Sequence, residues 1–400
     1  MSLSSVRDHW ALDPDCVFLN HGSFGACPRA VLEAQRALQD QLEAQPVRFY
    51  LDAYESLLDA SRARLGRFIG APAERLVFVP NATCGVNAIL RSLSFVPGDE
   101  VVVTSHGYGA CNNALAFAAE RAGAVVRVAD IPFPGTTSEG VLNAIDAVVS
   151  DATRLLLVDH VTSATGLVLP IASIVSRYEH RGVPVLVDGA HAPGMLDLNV
   201  EGLGASWYVG NLHKWVCAPK GAAFVLPRAD RAEALRPLSI SHGATIDGAR
   251  LSPPRSRLQL EFDWSGTDDP TPWLCVGTAL DTVDAVVPGG WTGFRARSRA
   301  LIRETRDALC ELLDIPAPAP DTMLASMVAV PLPGDTEPRA PHPWVPSQLQ
   351  HRLWNKHRIE VPISGWPSWP QRTLRVSVAA YTTPAEVEVL LDALRAELRA

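Results

Sequence analysis

Between about Ala60 and Leu226 the chain alternates short, near-continuous apolar runs with helical patterns, and this alternation restricts the fold more than any other feature. "RLVFVP" precedes a helical stretch from about Cys84 to Leu93. "EVVVTS" precedes "CNNALAFAAERAG", with "VVRVAD" after it, and "RLLLVDHV" precedes "IASIVSRYEHRG" and then "VPVLVDGA". "ASWYVGN" and "GAAFVLP" lie close together. Apolar strands separated by helices imply an α/β fold with a mainly parallel sheet covered on both faces. Ligands in such sheets bind at the carboxyl ends of the strands. Asn81, Tyr108, Ser163, Asp188 and the pair His213–Lys214 all fall at such ends.

Beyond about Thr278 the pattern changes to that of a smaller α+β lobe. Helices are expected through "ALDTVDAV", "FRARSRALIRETRDALCELL" and "SQLQHRLWNKH", and strands at "SMVAVPLP", "RIEVPI" and "TLRVSVAA". A last amphipathic helix, "PAEVEVLLDALRAELRA", has Pro384 in its first turn. "PAPAP" and "PRAPHPWVP" read as surface loops. The expected division is an N-terminal arm at 1–20, a large domain at 21–277 and a small C-terminal domain at 278–400.

With 400 residues there is ample chain for a large core, and the formal net charge of −8 argues against nucleic acid as a partner. No apolar run approaches the length of a membrane span and no basic-then-apolar leader opens the sequence, so a cytoplasmic protein without a membrane partner is expected. The 7 cysteines are scattered and no CxxC pair occurs. Neither a zinc site nor a disulfide framework is expected, and no metal.

Lys214 sits among Leu212, Trp215 and Val216, where a charged amine is costly. Such a lysine either snorkels to water or has a lowered pKa and serves as a nucleophile toward carbonyls, the aldehyde of pyridoxal phosphate among them. Asp188, ending "VPVLVD", is either a helix cap or the partner of a protonated pyridine nitrogen. Asp188, His191 and Lys214 on successive strand ends favour the cofactor reading.

The run "VDGAHAPGMLDLNVEGLGASWYVGNLHKWVCAPKGAAFV" resembles the fold-type I pyridoxal-phosphate enzymes of the class V aminotransferase group, and within it isopenicillin N epimerase and its relatives. "FLNHGSFG", "NATCGVN", "DHVTSATGLVLP", "SGTDDPTPWL" and "LRVSVAAYTTPAEV" carry the same resemblance, in the expected order over nearly the whole chain. It implies a large domain of the seven-stranded type with a smaller C-terminal domain, and pyridoxal 5'-phosphate as cofactor.

The resemblance also implies roles. Lys214 would carry the cofactor and later remove the substrate's α-proton, through an external aldimine and a carbanion. Asp188 would pair with the pyridine nitrogen, and His191, one helical turn on, would lie near the ring's phenolic side. The amides of Ala82, Thr83 and Cys84, with the Thr83 hydroxyl, would open a helix onto the phosphate, and Asn211 and His213 would add donors. Tyr108 in "SHGYGA" falls where the family stacks an aromatic ring, with His106 as its rival, and Ser163 falls where the family contacts the phenolic oxygen. Arg375 would fork onto the substrate carboxylate, with Arg372 a nearby decoy. Thr267 would cross to a neighbour's phosphate, making a homodimer with shared sites. Asn20, His21 and Ser23 would line the pocket mouth, and Arg48 and Tyr50 would touch substrate.

Desulfurases of the group need a loop cysteine ahead of the carboxylate-binding arginine. Here "RIEVPISGWPSWPQRTLRVS" has none and carries Trp366 and Trp369 instead. The implied reaction is epimerisation at the α-carbon of an amino acid or peptide-borne amino acid. C–S lysis of a cysteine conjugate or sulfoxide, and transamination, stay open. A regulator would need a DNA-binding segment ahead of "FLNHGSFG", and about 18 residues leave no room for one.

Overall fold

In a computed structural model the chain is described over residues 6–251, 253–333 and 345–398. Seven strands form one sheet: β1 (Val77–Val79), β2 (Glu100–Thr104), β3 (Val125–Ala129), β4 (Thr153–Asp159), β5 (Val185–Asp188), β6 (Trp207–Asn211) and β7 (Ala223–Pro227). Their order is β1-β7-β6-β5-β4-β2-β3, and β7 runs antiparallel to both its neighbours while the other pairs are parallel. The close spacing of "ASWYVGN" and "GAAFVLP" leaves no room for a crossover helix, which parallel pairing needs.

Strand alternation divides the core in two. Leu156, Val158, Val185, Val187 and Tyr208 face one side. Leu155, Leu157, Leu186 and Val209 face the other, with residues of α1 (Ala82–Ser92) and α2 (Gly109–Ala122). By the same alternation Asp159, Asp188 and Asn211, at the ends of β4, β5 and β6, point to the α1/α2 side. β3 closes one edge, and its Val125 and Val128 are exposed.

A three-stranded antiparallel sheet follows, with β8 (Met327–Leu332), β9 (Ile363–Gly365) and β10 (Arg372–Ser377) in the order β9-β10-β8. "RIEVPI" divides: Ile359–Glu360 pairs in parallel with Val17–Phe18, and only its last residue opens β9. Leu19 accordingly packs in the C-terminal core. The long helix α3 (Gly290–Leu313) buries Trp291 and Phe294 in the first core and Leu301, Ile302 and Leu309 with the second sheet. The helix Val276–Val286 buries Ala279, Leu280 and Val283 in the first core, so the large core takes in residues past 277. "PAPAP" is a loop, and most of "PRAPHPWVP" lies outside the described residues. Among the described residues no helix is long and apolar enough to cross a membrane.

Candidate active site

Lys214 follows β6 in a turn whose backbone is pinned from two directions. Its carbonyl accepts the Cys217 amide at 3.0 Å and a ring N–H from His21 Nε2, also at 3.0 Å. Two glycines let other segments lie directly on this turn. A Cβ at Gly25 (φ +70°) would stand 2.1 Å from the His213 carbonyl, and one at Gly194 (φ +88°) 2.7 Å from the Trp215 backbone. "HGSFG" and "AHAPG" therefore need glycine for close approach as well as for left-handed backbone.

The Lys214 side chain is buried rather than snorkelling, and burial pushes its amine down to about 8. Asp188, Asp159 and Cys111 act to hold the proton on, while Arg375 acts to drive it off. His191 Nε2 lies 3.1 Å from Lys214 Nζ, and Trp215 Nε1 donates to His191 Nδ1 at 3.4 Å. Burial first, then the Lys214 and Arg375 charges, keep His191 neutral. The segment after β5 is a turn and not the helical turn expected, because Gly189 lies against the Tyr208 ring and the chain then folds back to Gly194.

Asp188 accepts the Ala190 amide at 2.9 Å and the Cys111 thiol at 3.2 Å, and burial raises its pKa. Asp159 is its in-register partner on the neighbouring strand. Burial and then the Asp188 charge push Asp159 well above the carboxylate range, while the Tyr108 backbone N–H counteracts. Neither carboxyl forms an ion pair among the described residues. Asp188 is thus a buried acceptor suited to a cationic N–H, which fits a protonated pyridine nitrogen.

At the start of α1 the three expected phosphate donors are not equivalent. The Ala82 amide donates to Asn211 Oδ1 at 2.8 Å, and the Cys84 amide donates to Asn81 Oδ1, its N-cap, at 2.9 Å. Both are engaged within the chain, so the ready donors here are the Thr83 amide and hydroxyl and the Asn211 side-chain NH₂. His213 Nδ1 is taken by the Ala222 carbonyl at 3.0 Å, which leaves Nε2.

Arg375 is buried on β10. Its Nη1 donates to the Ser163 carbonyl at 2.6 Å, and Nη2 donates to Ser23 Oγ at 2.9 Å and Asn20 Oδ1 at 3.3 Å. All three partners are neutral. No carboxylate pairs with this guanidinium among the described residues, its Nε is buried without a partner, and burial lowers its pKa to about 10. Arg372 is three residues away and so on the opposite face of the strand, where it lines a cleft with Phe133 and Trp366.

Several expected pocket residues stand elsewhere. His21 is not at the mouth: it is buried beneath Lys214, with Nδ1 2.7 Å from the Tyr381 hydroxyl. Asn20 and Ser23 hold Arg375. Arg48 is exposed and pairs with Asp52, and Tyr50 donates to the Asp268 carbonyl at 2.6 Å. Tyr50 thereby joins the exposed loop that carries Thr267, and no hydrogen bond links Arg48 or Tyr50 to Lys214 or Arg375 among the described residues. His106 is buried, with its nitrogens at Thr165 Oγ1 and the Ile131 carbonyl and its ring 4.5 Å from that of Trp366. Tyr108 is left as the partly exposed aromatic residue at the start of α2, its hydroxyl within electrostatic reach of Asp188 and Arg375. Trp366 also meets Phe133 at 5.2 Å, whereas Trp369 folds back over Gly365 of its own hairpin.

The model of the family described as aminotransferase class-V matches residues 18–390. The chain belongs to the class-V aminotransferase family. It is a pyridoxal-phosphate-dependent enzyme. It is 34% identical to the isopenicillin N epimerase of Amycolatopsis lactamdurans, over 98% of this chain and 98% of that one. It is 30% identical to a probable chloroplastic L-cysteine desulfhydrase of Arabidopsis thaliana, over 97% of this chain and 84% of that one. The fold matches a solved C-DES mutant that carries glycine covalently linked to its PLP cofactor, with a TM-score of 0.79 and 20% identity over 97% of this chain and 98% of that one.

Proposed function

We propose that the enzyme changes the configuration at the α-carbon of an amino acid, free or at the end of a peptide, in the manner of an isopenicillin N epimerase. The observation that carries substrate recognition is Arg375, a buried cation held by three neutral oxygens, with no carboxylate paired to it among the described residues. An incoming α-carboxylate supplies the counter-charge it lacks, taking the Nη1 hydrogen that Ser163 leaves free and a second from Nη2 as Ser23 or Asn20 gives way. Bound pyridoxal phosphate supplies an electron sink that makes the α-proton removable. Asp188 keeps a proton on the ring nitrogen, and Thr83 and Asn211 hold the phosphate. Lys214, poor in protons and buried, carries the cofactor and takes the proton from one side of the α-carbon. Tyr108, partly open and close to both Asp188 and Arg375, covers the ring.

Likeness to epimerases over almost the full length supports this reading, as does the absence of a cysteine from the loop that holds Trp366. Likeness to a desulfhydrase supports a second reading, β-elimination of sulfur from a cysteine derivative. We also propose a homodimer in which Thr267 completes the partner's phosphate site. Tyr50 reaches the Asp268 carbonyl beside the exposed Thr267, and its neighbours Val47 (72% exposed) and Leu51 (79% exposed) are apolar side chains that a partner would cover.

Incubation with candidate amino acids in deuterated water separates the readings. Epimerisation gives both configurations with deuterium at the α-carbon and no pyruvate, as read by chiral chromatography and a pyruvate assay. Pyruvate with released sulfur would replace this reading with the second.

A further inference from the structure

Trp215 follows the lysine in sequence and is buried: it is 1% exposed and its ring lies 4.9 Å from that of His21. Its one polar atom reaches His191. An indole N–H can only donate, so His191 Nδ1 must present a lone pair to it. His191 is itself 2% exposed, in surroundings that disfavour a charged ring. A neutral imidazole has one proton, and with Nδ1 accepting, that proton is on Nε2. Nε2 is the atom 3.1 Å from Lys214 Nζ.

An ammonium has three N–H groups and no lone pair, so against an Nε2–H it would set donor against donor. A free amine has a lone pair to accept that hydrogen. We propose that Trp215 is a positioning residue which, by donating to His191 Nδ1, holds the His191 proton on Nε2 and thereby holds Lys214 as a free, nucleophilic amine. Without the indole N–H, His191 can move its proton to Nδ1 and accept from a Lys214 ammonium at Nε2, which stabilises the unreactive form.

The surroundings do not supply this alone. Asp188, Asp159 and Cys111 face Lys214 and favour its protonated state, Arg375 opposes them, and Arg375, His213 and His21 face His191. The lowered proton affinity of Lys214 agrees in direction with the relay. Trp215 is fixed for the task by Gly194, whose missing side chain lets the 191–194 turn rest on the Trp215 backbone. The inference rests on Lys214 being the lysine that takes the cofactor.

Two measurements on the full-length chain, stripped of cofactor with hydroxylamine, test it. The first is ¹⁵N NMR of histidine-labelled wild type, with His191 assigned by difference against His191→Asn. A non-protonated Nδ1 and a protonated Nε2 are expected near neutral pH, and an Nδ1–H tautomer would overturn the proposal without any tryptophan variant. The second is the rate of recombination with pyridoxal phosphate as a function of pH. Trp215→Phe should recombine about tenfold more slowly at pH 7 and approach the wild-type rate at high pH, where the amine is free in both. In a His191→Asn background the same substitution should add little, because the path runs through His191. An equal loss at every pH, or the same loss with His191 already removed, would show a packing role only and overturn the proposal. Lys214→Ala recombining at the wild-type rate would remove the cofactor assignment of Lys214, while the NMR result would still decide the tautomer.

Discussion

Asp159 and Asp188 stand as in-register partners on neighbouring parallel strands, 4% and 2% exposed. Two such carboxyls cannot both ionise cheaply, and among the described residues neither has an arginine or lysine ion-paired to it. In the proposed site it is Asp188, which also takes the Ala190 amide, that would keep a charge for the cofactor nitrogen. Asp188→Asn should therefore lose cofactor readily and lower turnover roughly a hundredfold or more, about 2.7 kcal/mol in the barrier. Burial and the Asp188 charge push Asp159 toward its protonated form, so Asp159→Asn should stay within several-fold of wild type. Cofactor occupancy and kcat of the two variants decide the matter; a near-normal Asp188→Asn enzyme would remove Asp188 from its role.

Arg375 is tested by the contrast between charge and fork. Arg375→Ala should lower kcat/KM by about 2–5 kcal/mol, the cost of leaving a buried charged partner unmatched. Arg375→Lys keeps the charge but not the planar pair of donors and should recover little. Both variants should keep the wild-type cofactor occupancy, since the guanidinium donates to Ser163, Ser23 and Asn20 and not to Lys214, Asp188, Thr83 or Asn211. Substrate analogues with an amidated carboxyl should react poorly with wild type and lose little more in the variants.

Subunit mixing tests the shared site. Thr267→Ala and Lys214→Ala should each be impaired alone. If Thr267 serves the partner's site, a mixed dimer has one site with both lesions and one with neither, and activity should partly return on subunit exchange. Confirmed exchange without recovery would place Thr267 in its own subunit's affairs.

His21 carries a stability prediction. It bridges the Lys214 carbonyl and the Tyr381 hydroxyl, so His21→Ala should cost about 2–4 kcal/mol in denaturant unfolding, and Tyr381→Phe about 1–2. Unfolded His21 takes a proton near its ordinary value of 6.5, but folded His21 only at about 3, because of its burial. In that window the unfolded chain binds the extra proton, so the His21 contribution to stability falls as pH drops from about 6.5 toward 3. His21→Gln should show a shallower loss of stability over that range, and an unchanged slope would contradict the bridge.

The sheet and the strand-end residues were legible in the sequence because both follow from local pattern. Apolar runs between helices give the parallel order, and a polar residue ending an apolar run marks the carboxyl edge. Contacts across long separations were not legible. His21 reaches Lys214 across 193 residues, and nothing near "NHG" shows that its ring points inward. The three amides of α1 looked alike until Asn211, distant in sequence, took one of them. Asp159 was within reach of pattern reasoning, since it ends "RLLLVD" as Asp188 ends "VPVLVD" and alternation puts both on one face. The indole of Trp215 gave no sign of its polar use, because an apolar neighbour of a buried lysine reads first as packing.

Lys214 is proposed as the lysine that takes the cofactor, and the chain suits a direct test because it contains three lysines: Lys214, Lys220 and Lys356. Borohydride reduction of the yellow protein followed by peptide mapping should place the reduced pyridoxyl group on the peptide containing Lys214, and Lys214→Ala should abolish the label. A pyridoxyl group on Lys220 or Lys356, with the Lys214 peptide unmodified, would contradict the account.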